Sequence, residues 1–224
     1  MKFELGKKRY NDYPTFFKTL FEERVQKLSI DGGFTCPNRD GSKGVGGCSF
    51  CNNESFNPDY CRAVRGITEQ IDEGIRFFAR KYKGQRYLAY FQAYSNTYAP
   101  LDVLKLRYEE ALAHPMISGL VIGTRPDVVS EEVLDYLEEL ARRYYVCVEY
   151  GVESVNDTVL RQVNRGHDFA VAEQAIRATA GRGITIGAHL IFGLPGESRE
   201  SMLEGAIRLC ELPIQVLKLH QLQI

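Results

Sequence analysis

Six short apolar stretches, rich in β-branched and aromatic residues, recur along the chain, and each is bounded by glycine, proline or polar residues. They are typical of buried β-strands and cover residues 24–30, 86–93, 118–123, 144–150, 184–192 and 214–219. Between them, apolar residues return every three or four positions, as on one face of a helix. This periodicity predicts helices over 67–82, 101–112, 131–140, 169–181 and 199–211.

Three of these helices follow a residue that is suited to an N-cap. Ser130, Asp168 and Ser198 each carry a side-chain oxygen that can accept a hydrogen bond from a free N–H of the first turn. Strands that alternate with helices are expected to pair in parallel through right-handed crossovers. The sequence therefore predicts an α/β fold, either a doubly wound sheet or a full or partial (βα) barrel. Functional residues are expected beyond the carboxyl ends of the strands.

The composition is that of an ordinary globular domain. The 224 residues are 44% hydrophobic and 25% charged, and the formal net charge of −1 indicates no overall attraction to nucleic acid. The first residues lack the apolar run of a signal peptide, and no stretch is apolar for long enough to cross a bilayer. We therefore expect no membrane partner and a cytoplasmic location. In that reducing compartment, the six cysteines are more suited to metal binding or catalysis than to disulfides.

The sequence stops shortly after the sixth predicted strand, with no helix to cover that strand. A terminal strand with an unpaired edge is unfavourable, so we expect a chain that is truncated at this point. The expected organisation is an N-terminal extension over residues 1–22, followed by a core domain over residues 23–224.

Three cysteines, Cys36, Cys48 and Cys51, lie in a glycine-rich polar segment after the first strand. With Cys61 as a fourth ligand they could form a structural zinc site. Without Cys61, three thiolates could hold an iron–sulfur cluster in which one iron stays open to an outside ligand. A redox pair of Cys48 and Cys51 is a third interpretation. The spacing by itself leaves all three open.

Polar or glycine-rich residues also follow the later strands. Glu153 and Arg165 follow the fourth strand, where a carboxylate suits ribose hydroxyls and a guanidinium suits a carboxylate. A surface ion pair would use the same two residues. Gly193 and Gly196 follow the fifth strand, where they could expose backbone to a flat adenine or simply form a tight turn.

Histidines and one aromatic residue are further candidates for a site at the strand ends. His167, His189 and His220 could reach such a cavity or serve as hydrogen-bonded structural residues. Lys218 and His220 alternate with leucines, so they share one face of the sixth strand. Phe50 could pack over a cofactor or within the core.

The segments TCPNRDGSKGVGGCSFC, VEYGVES with QVNRGH, and GAHLIFGLPGES together resemble the radical S-adenosylmethionine (radical SAM) superfamily over nearly the whole chain. CPNRDG, YFQAYSNTYAP, TRPD and NRGH resemble the branch that is related to the catalytic subunit of the elongator complex and is called YhcC-like. The reaction of that branch is unassigned. The cysteine spacing departs from the commonest pattern of the superfamily, C-x3-C-x2-C. The chain also lacks a recognisable acetyltransferase domain, so elongator-type acyl chemistry is not expected.

The resemblance implies a partial (βα)6 TIM-like barrel within residues 23–224 and a [4Fe-4S] cluster on Cys36, Cys48 and Cys51. S-adenosylmethionine would chelate the open iron. An electron from the cluster would then cleave it to methionine and a 5′-deoxyadenosyl radical that abstracts hydrogen from a substrate. The implied contacts to S-adenosylmethionine come from Tyr94, Ser95, Asn96, Glu153, Arg165, Gly193 and Gly196.

The resemblance also implies partners. An external electron donor of the flavodoxin or ferredoxin type would reduce the cluster, and a tRNA base is a candidate substrate by analogy with the elongator-related branch. The alternative function is a non-enzymatic binding module that is stabilised by zinc on Cys36, Cys48, Cys51 and Cys61.

Overall fold

The computed structural model describes residues 9–52, 57–80 and 85–223. Their main feature is a sheet of six parallel strands whose spatial order follows the order of the chain. The strands are β1 (Arg24–Ile30), β2 (Gln85–Phe91), β3 (Ile117–Thr124), β4 (Tyr145–Glu153), β5 (Thr185–Phe192) and β6 (Val216–Gln221). All six predicted strands are therefore confirmed, with ends that differ by a few residues.

Helices connect the strands as the periodicity predicts. They are α1 (Tyr13–Leu20), α2 (Ile67–Ala79), α3 (Leu101–Leu112), α4 (Glu131–Ala141), α5 (Asp157–Gln162), α6 (Phe169–Thr179) and α7 (Arg199–Cys210). The side chains of Ser130, Asp168 and Ser198 accept hydrogen bonds from the first turns of α4, α6 and α7, which confirms the three predicted caps. Residues 81–82 of the predicted 67–82 helix lie outside the described residues. No described helix is both long and apolar enough to cross a membrane.

The sheet is curled, as contacts between side chains of non-neighbouring strands on its inner face show. Lys27 of β1 donates a hydrogen bond to Glu149 of β4, and Lys218 Nζ of β6 lies 3.2 Å from the Tyr90 hydroxyl of β2. In a flat sheet with strands about 4.8 Å apart, these pairs would be separated by roughly 14 and 19 Å. The fold is therefore a partial (βα)6 barrel, and the doubly wound alternative is wrong.

The outer face of the sheet packs against the helices. Leu28 and Ile30 of β1, for example, are fully buried in one large apolar cluster with Ile71 of α2 and Leu104 of α3. The inner face holds a smaller cluster, in which Phe17 of α1 contacts residues such as Leu88, Val121 and Cys147. Burial of apolar side chains on both faces leaves the carboxyl ends of the strands available for polar residues.

Helix α1 lies within the predicted N-terminal extension and was not predicted from the sequence. The Asp12 side chain accepts a hydrogen bond from the Thr15 N–H at 3.0 Å, and Pro14 occupies the first turn, where its missing N–H does no harm. Phe17 is 4% exposed and carries the aromatic face of the helix into the inner cluster. Helix α1 therefore fills the inside of the barrel below the cavity described next.

Candidate active site

A cavity of about 640 Å³ is lined by the loop after β1 and by residues at the carboxyl ends of the strands. It brings together many of the residues that the sequence singled out: Cys36, Cys48, Phe50, Cys51, Tyr94, Ser95, Glu153, Arg165, His189, Lys218 and His220. Asn96, His167, Gly193 and Gly196 are not among the residues that line it. The cavity occupies the position at which the fold predicts function.

The cysteine loop, residues 36–51, is fastened to the turn 163–165 that follows α5. Asn38 is 1% exposed and donates through Nδ2 to the carbonyls of residues 164 and 165. The same Nδ2 atom lies 3.6 Å from Cys48 Sγ. Ser49 N donates to the Val163 carbonyl at 3.0 Å. These contacts hold Cys48 against the segment that carries Arg165.

Arg165 and Glu153 form a buried pair at the rim of the cavity. Arg165 Nη2 lies 3.8 Å from Glu153 Oε1 and also donates to the Gly151 carbonyl, while Nη1 lies 3.6 Å from Cys48 Sγ. A Cβ at Gly151 would lie 2.4 Å from Glu153 Oε1 and 2.8 Å from Arg165 Nη2, so a larger residue there would displace the ends of both side chains from their present positions. Arg165 Nε is buried without a hydrogen-bond partner in the described residues. The guanidinium therefore keeps donor capacity for a ligand.

The three residues predicted after the second strand have different surroundings. Tyr94 adopts φ +63° and is 38% exposed, and the buried Ser95 Oγ has no partner among the described residues. The Asn96 side chain instead donates to the carbonyls of Phe91 and Gly123, at 3.1 and 2.7 Å. Asn96 therefore ties the end of β2 to the end of β3, while its two neighbours line the cavity.

Gly193 and Gly196 form the turn after β5. Their φ angles of +90° and +88° lie in the left-handed region that favours glycine, so the turn itself requires both residues. Gly193 N lies 3.0 Å from Met202 Sδ of α7. Their predicted contact with adenine stays a prediction.

Cys61 lies apart from the other three cysteines of its segment. It is 1% exposed and does not line the cavity. Burial raises the pKa of its thiol to about 12, with a further contribution from the charge of Asp31. Because Cys61 does not line the cavity with the other three cysteines, its placement does not support a four-thiolate zinc site.

The remaining three thiols fit a cluster. In the described part of the chain, no three His, Cys, Asp or Glu side chains are close enough together to hold one metal ion. In an iron–sulfur cluster each thiolate binds its own iron, so the ligands lie farther apart than those of a single ion. Cys36, Cys48 and Cys51 all line the same cavity, so each thiol could bind a separate iron of one cluster.

The floor of the cavity, formed by Tyr90, Glu149, His189, Lys218 and His220, is polar. Glu149 is 1% exposed and accepts hydrogen bonds from Lys27 and from His189 Nε2, the latter at 2.9 Å. Burial alone would raise the pKa of Glu149, but the hydrogen bond from His189 and the charge of Lys27 hold it well below its usual range. The floor therefore contains an ionised carboxylate. Sequence reasoning missed it, because Lys27 and Glu149 look like ordinary strand residues until the sheet curls.

A second ion network lies at the rim, in the TRPD segment. Arg125 is 3% exposed and donates from Nε and Nη2 to the two carboxylate oxygens of Asp127, both at 2.9 Å. Lys43 Nζ of the cysteine loop lies 2.7 Å from Asp127 Oδ2. Burial alone would raise the pKa of Asp127, but these hydrogen bonds lower it to about 2. The contact between Lys43 and Asp127 joins the cysteine loop to the segment that follows β3.

Two solved structures share this fold at low sequence identity. The archaeal Methanocaldococcus infernus Elp3 with an N-terminal deletion has a TM-score of 0.62 at 17% identity, covering 88% of this chain and 45% of that chain. Coproporphyrinogen III oxidase (HemN) from Escherichia coli, described as a radical SAM enzyme, has a TM-score of 0.59 at 18% identity, covering 96% and 51%. At such identities, the likeness shows the fold alone.

Several proteins are also similar in sequence. YhcC of Escherichia coli (strain K12) is 42% identical over 205 residues, covering 91% of this chain and 65% of that protein. YtqA of Bacillus subtilis (strain 168) is 36% identical over 217 residues, covering 97% and 67%. A tRNA uridine(34) acetyltransferase of Methanocaldococcus infernus is 31% identical over 94 residues, covering 42% and 17%. The chain therefore spans about two thirds of the length of YhcC and YtqA.

The match to a protein family agrees with these relatives. The profile of the Radical SAM superfamily matches residues 36–207, a range that begins at the first cysteine of the loop and ends within α7. The similarity to YhcC and YtqA identifies the branch. This chain belongs to the radical SAM superfamily, in its YhcC-like branch.

Proposed function

We propose that the cavity binds a [4Fe-4S] cluster through Cys36, Cys48 and Cys51, together with S-adenosylmethionine. The observation that carries the proposal is that the three thiols, spread over residues 36–51, line one cavity with the Arg165–Glu153 pair. When bound, the cluster and S-adenosylmethionine supply a one-electron cleavage that yields methionine and a 5′-deoxyadenosyl radical, which abstracts hydrogen from the substrate. An external flavodoxin- or ferredoxin-type protein would supply the electron.

The rim residues would orient S-adenosylmethionine. Arg165 has an unpartnered Nε and would bind the methionine carboxylate through parallel N–H donors. Glu153 would accept hydrogen bonds from the ribose hydroxyls, and the unpartnered Ser95 Oγ would accept one from the amino group. Asn96 would contribute indirectly, because its bonds to the ends of β2 and β3 position Tyr94 and Ser95.

The apolar part of the wall would exclude water from the reacting groups. Phe50 lines the cavity and packs against the buried cluster of Val159, Val163 and Leu194. Gly193 and Gly196 lie beyond the wall, so an adenine contact there would require the ligand to extend past the residues that line the cavity. A site without free water protects a reactive radical from side reactions.

Reconstitution with iron and sulfide under anaerobic conditions tests the proposal. The wild-type chain should bind about four iron atoms and show a broad absorbance band at about 400 nm. Addition of dithionite and S-adenosylmethionine should then produce 5′-deoxyadenosine. The triple variant Cys36→Ala, Cys48→Ala, Cys51→Ala should lose both properties. Equal iron binding by this variant would contradict the proposal.

The matched control is Cys61→Ala, which also removes a cysteine from the segment but changes no residue of the cavity lining. It should keep the iron and the formation of 5′-deoxyadenosine. A chain that instead binds one zinc, and loses it in Cys61→Ala, would support the zinc-stabilised binding module.

For the substrate, we propose a base of tRNA. The support is the partial match to a protein named as a tRNA uridine(34) acetyltransferase. Nucleosides from the tRNA of cells with and without the gene should differ in at least one modification when separated by liquid chromatography and mass spectrometry. Identical nucleoside profiles would contradict the RNA substrate and leave the cluster assignment to its own test.

A further inference from the structure

The floor of the cavity and the side chain that pairs with it carry more positive than negative charge. The floor groups are Tyr90 from β2, Glu149 from β4, His189 from β5, and Lys218 and His220 from β6. Lys27 from β1 does not line the cavity but donates a hydrogen bond to Glu149. Glu149 is the one carboxylate among them, and it already accepts hydrogen bonds from Lys27 and His189. Glu153, higher in the cavity, is paired with Arg165. Lys218 therefore has no direct ion-pair partner among the described residues, although the charges of Glu149 and Glu153 act on it from a distance.

The surroundings of Lys218 leave it free to bind a ligand. Lys218 forms no ion pair with any residue that the structure describes, and its one hydrogen bond goes to the Tyr90 hydroxyl at 3.2 Å. An ammonium group has three donors, so two remain. Burial lowers the pKa of Lys218, although the charge of Glu149 partly opposes this effect. A partly buried cation without a direct ion-pair partner is unfavourable, and a bound anion would offset that cost.

His220 lies beside Lys218 on the same strand face and also lines the cavity. Its ring centroid is 5.2 Å from that of His189. The imidazole nitrogens of His220 make no hydrogen bond to any other described residue. Burial lowers the pKa of His220 to about 4, with further contributions from Lys218 and His189. The ring is therefore neutral near neutral pH and offers one N–H donor next to the ammonium group.

We infer that Lys218 and His220 form a subsite on the cavity floor for an anionic group of the substrate, a carboxylate or a phosphate. The inference rests on the proposed function, which assigns the rim to S-adenosylmethionine and leaves the floor to the substrate. Tyr90 positions the ammonium group through its hydroxyl. Charge pairing at this depth would orient the substrate, because both donors are fixed on a strand of the barrel.

Protection of lysine amines from acetylation tests the subsite. The reconstituted wild-type protein is treated with the neutral reagent N-hydroxysuccinimidyl acetate, first without and then with S-adenosylmethionine, and acetylation is mapped by mass spectrometry. The anionic probes are added to the samples that contain S-adenosylmethionine. The probes are malonate for a carboxylate and inorganic phosphate for a phosphate group, at an ionic strength matched with sodium chloride. The control amine is Lys18, which is exposed on α1.

We expect acetylation of Lys218 to slow about fivefold at a probe concentration of four times its Kd, because protection follows 1 + [L]/Kd. Lys18 should react at an unchanged rate. Protection by malonate alone or by phosphate alone identifies the group that the subsite prefers, and either result supports the inference.

Three results would overturn the inference. First, the probes could slow the acetylation of Lys218 no more than that of Lys18. Second, Lys218 could fail to react even without a probe, which would mean that the floor is closed to small molecules. S-adenosylmethionine alone could also protect Lys218 in full, which would assign the residue to the cofactor. The same sample is assayed for 5′-deoxyadenosine, and a failure to form it would contradict the proposed function whether or not Lys218 is protected.

Discussion

Replacing Lys27 with methionine removes the cation that faces the buried Glu149 carboxylate and keeps a long side chain. Removal of one partner from a buried ion pair costs about 3–5 kcal/mol. Glu149 retains its hydrogen bond from His189 at 2.9 Å and the nearby charge of Lys218. We therefore expect the lower end, a loss of about 3 kcal/mol in the free energy of unfolding. For a chain of this size, the melting temperature should fall by about 6–12 °C.

A second substitution, Glu149→Gln, separates the effect of charge from that of packing. If the loss in Lys27→Met comes from a stranded carboxylate, the double variant should lose at least about 1 kcal/mol less than the sum of the two single losses. The pH dependence has a definite sign. Without Lys27, the pKa of Glu149 rises toward its ordinary value, so acid protonates the stranded carboxylate more readily. The destabilisation caused by Lys27→Met should therefore shrink as the pH falls.

Urea unfolding followed by far-ultraviolet circular dichroism measures these free energies, on anaerobically purified protein at about pH 7 and about pH 3, because the carboxylate titrates below its ordinary pKa. The control Lys18→Met makes the same change at an exposed position of α1 and should cost less than about 0.5 kcal/mol. Single losses that add to within about 0.5 kcal/mol of the double variant would refute the charge pairing.

Three further predictions concern the surroundings of the cavity. Gly187→Ala places a Cβ 2.9 Å from Cγ of Glu149, so urea unfolding should show a loss of about 1–3 kcal/mol in the free energy of unfolding. The control Gly66→Ala, where the nearest atom is 4.0 Å away, should lose less than about 1 kcal/mol. Asp127→Asn should lose about 2 kcal/mol near neutral pH, because the pKa of Asp127 is lowered to about 2. Since that stability is lost from the wild type as the pH falls from about 4 to about 2, the two proteins should converge in acid unfolding curves. Iodoacetamide should alkylate Cys61 at least about a hundredfold more slowly than the exposed Cys210, because the Cys61 thiol is buried and its pKa is raised to about 12. Mass spectrometry maps the two rates, and equal rates would contradict the buried placement of Cys61.

The strands and most helices could be predicted because their patterns are local. Residues 24–30 form a short run with three branched apolar residues and polar residues on both sides, and β1 has the same bounds. The caps at Ser130, Asp168 and Ser198 likewise depend only on the next few residues. Helix α1 was missed although Asp12 and Pro14 give a cap signal, because its eight residues, with three aromatic side chains, are too short to show a long apolar periodicity.

The site could be predicted in part. Residues at the carboxyl end of a strand, or in the segment that follows it, lie near the rim of the barrel. On this basis, Cys36, Glu153 and Arg165 could be placed around one cavity. The pairing of Lys27 with Glu149 depends on the curvature of the sheet, which brings β1 to β4 and leaves no trace in a local pattern. Asn96 is a different case, because its predicted contact with S-adenosylmethionine stays a prediction. Its position after β2 suggests a ligand contact, whereas the backbone carbonyls at the strand ends occupy its amide.

The attachment of the cysteine loop to the turn 163–165 also sets an order of events during synthesis. Asn38 bonds to the carbonyl of Asn164, which lies 126 positions later in the chain. The ribosome releases the cysteines well before this partner, and domains fold as their later segments emerge. Until the fourth strand and its turn are in place, Cys48 lacks the backbone that holds it and stays open to oxidation and to stray metal ions. For the proposed cluster, iron and sulfide would therefore be delivered after translation of the barrel rather than during it.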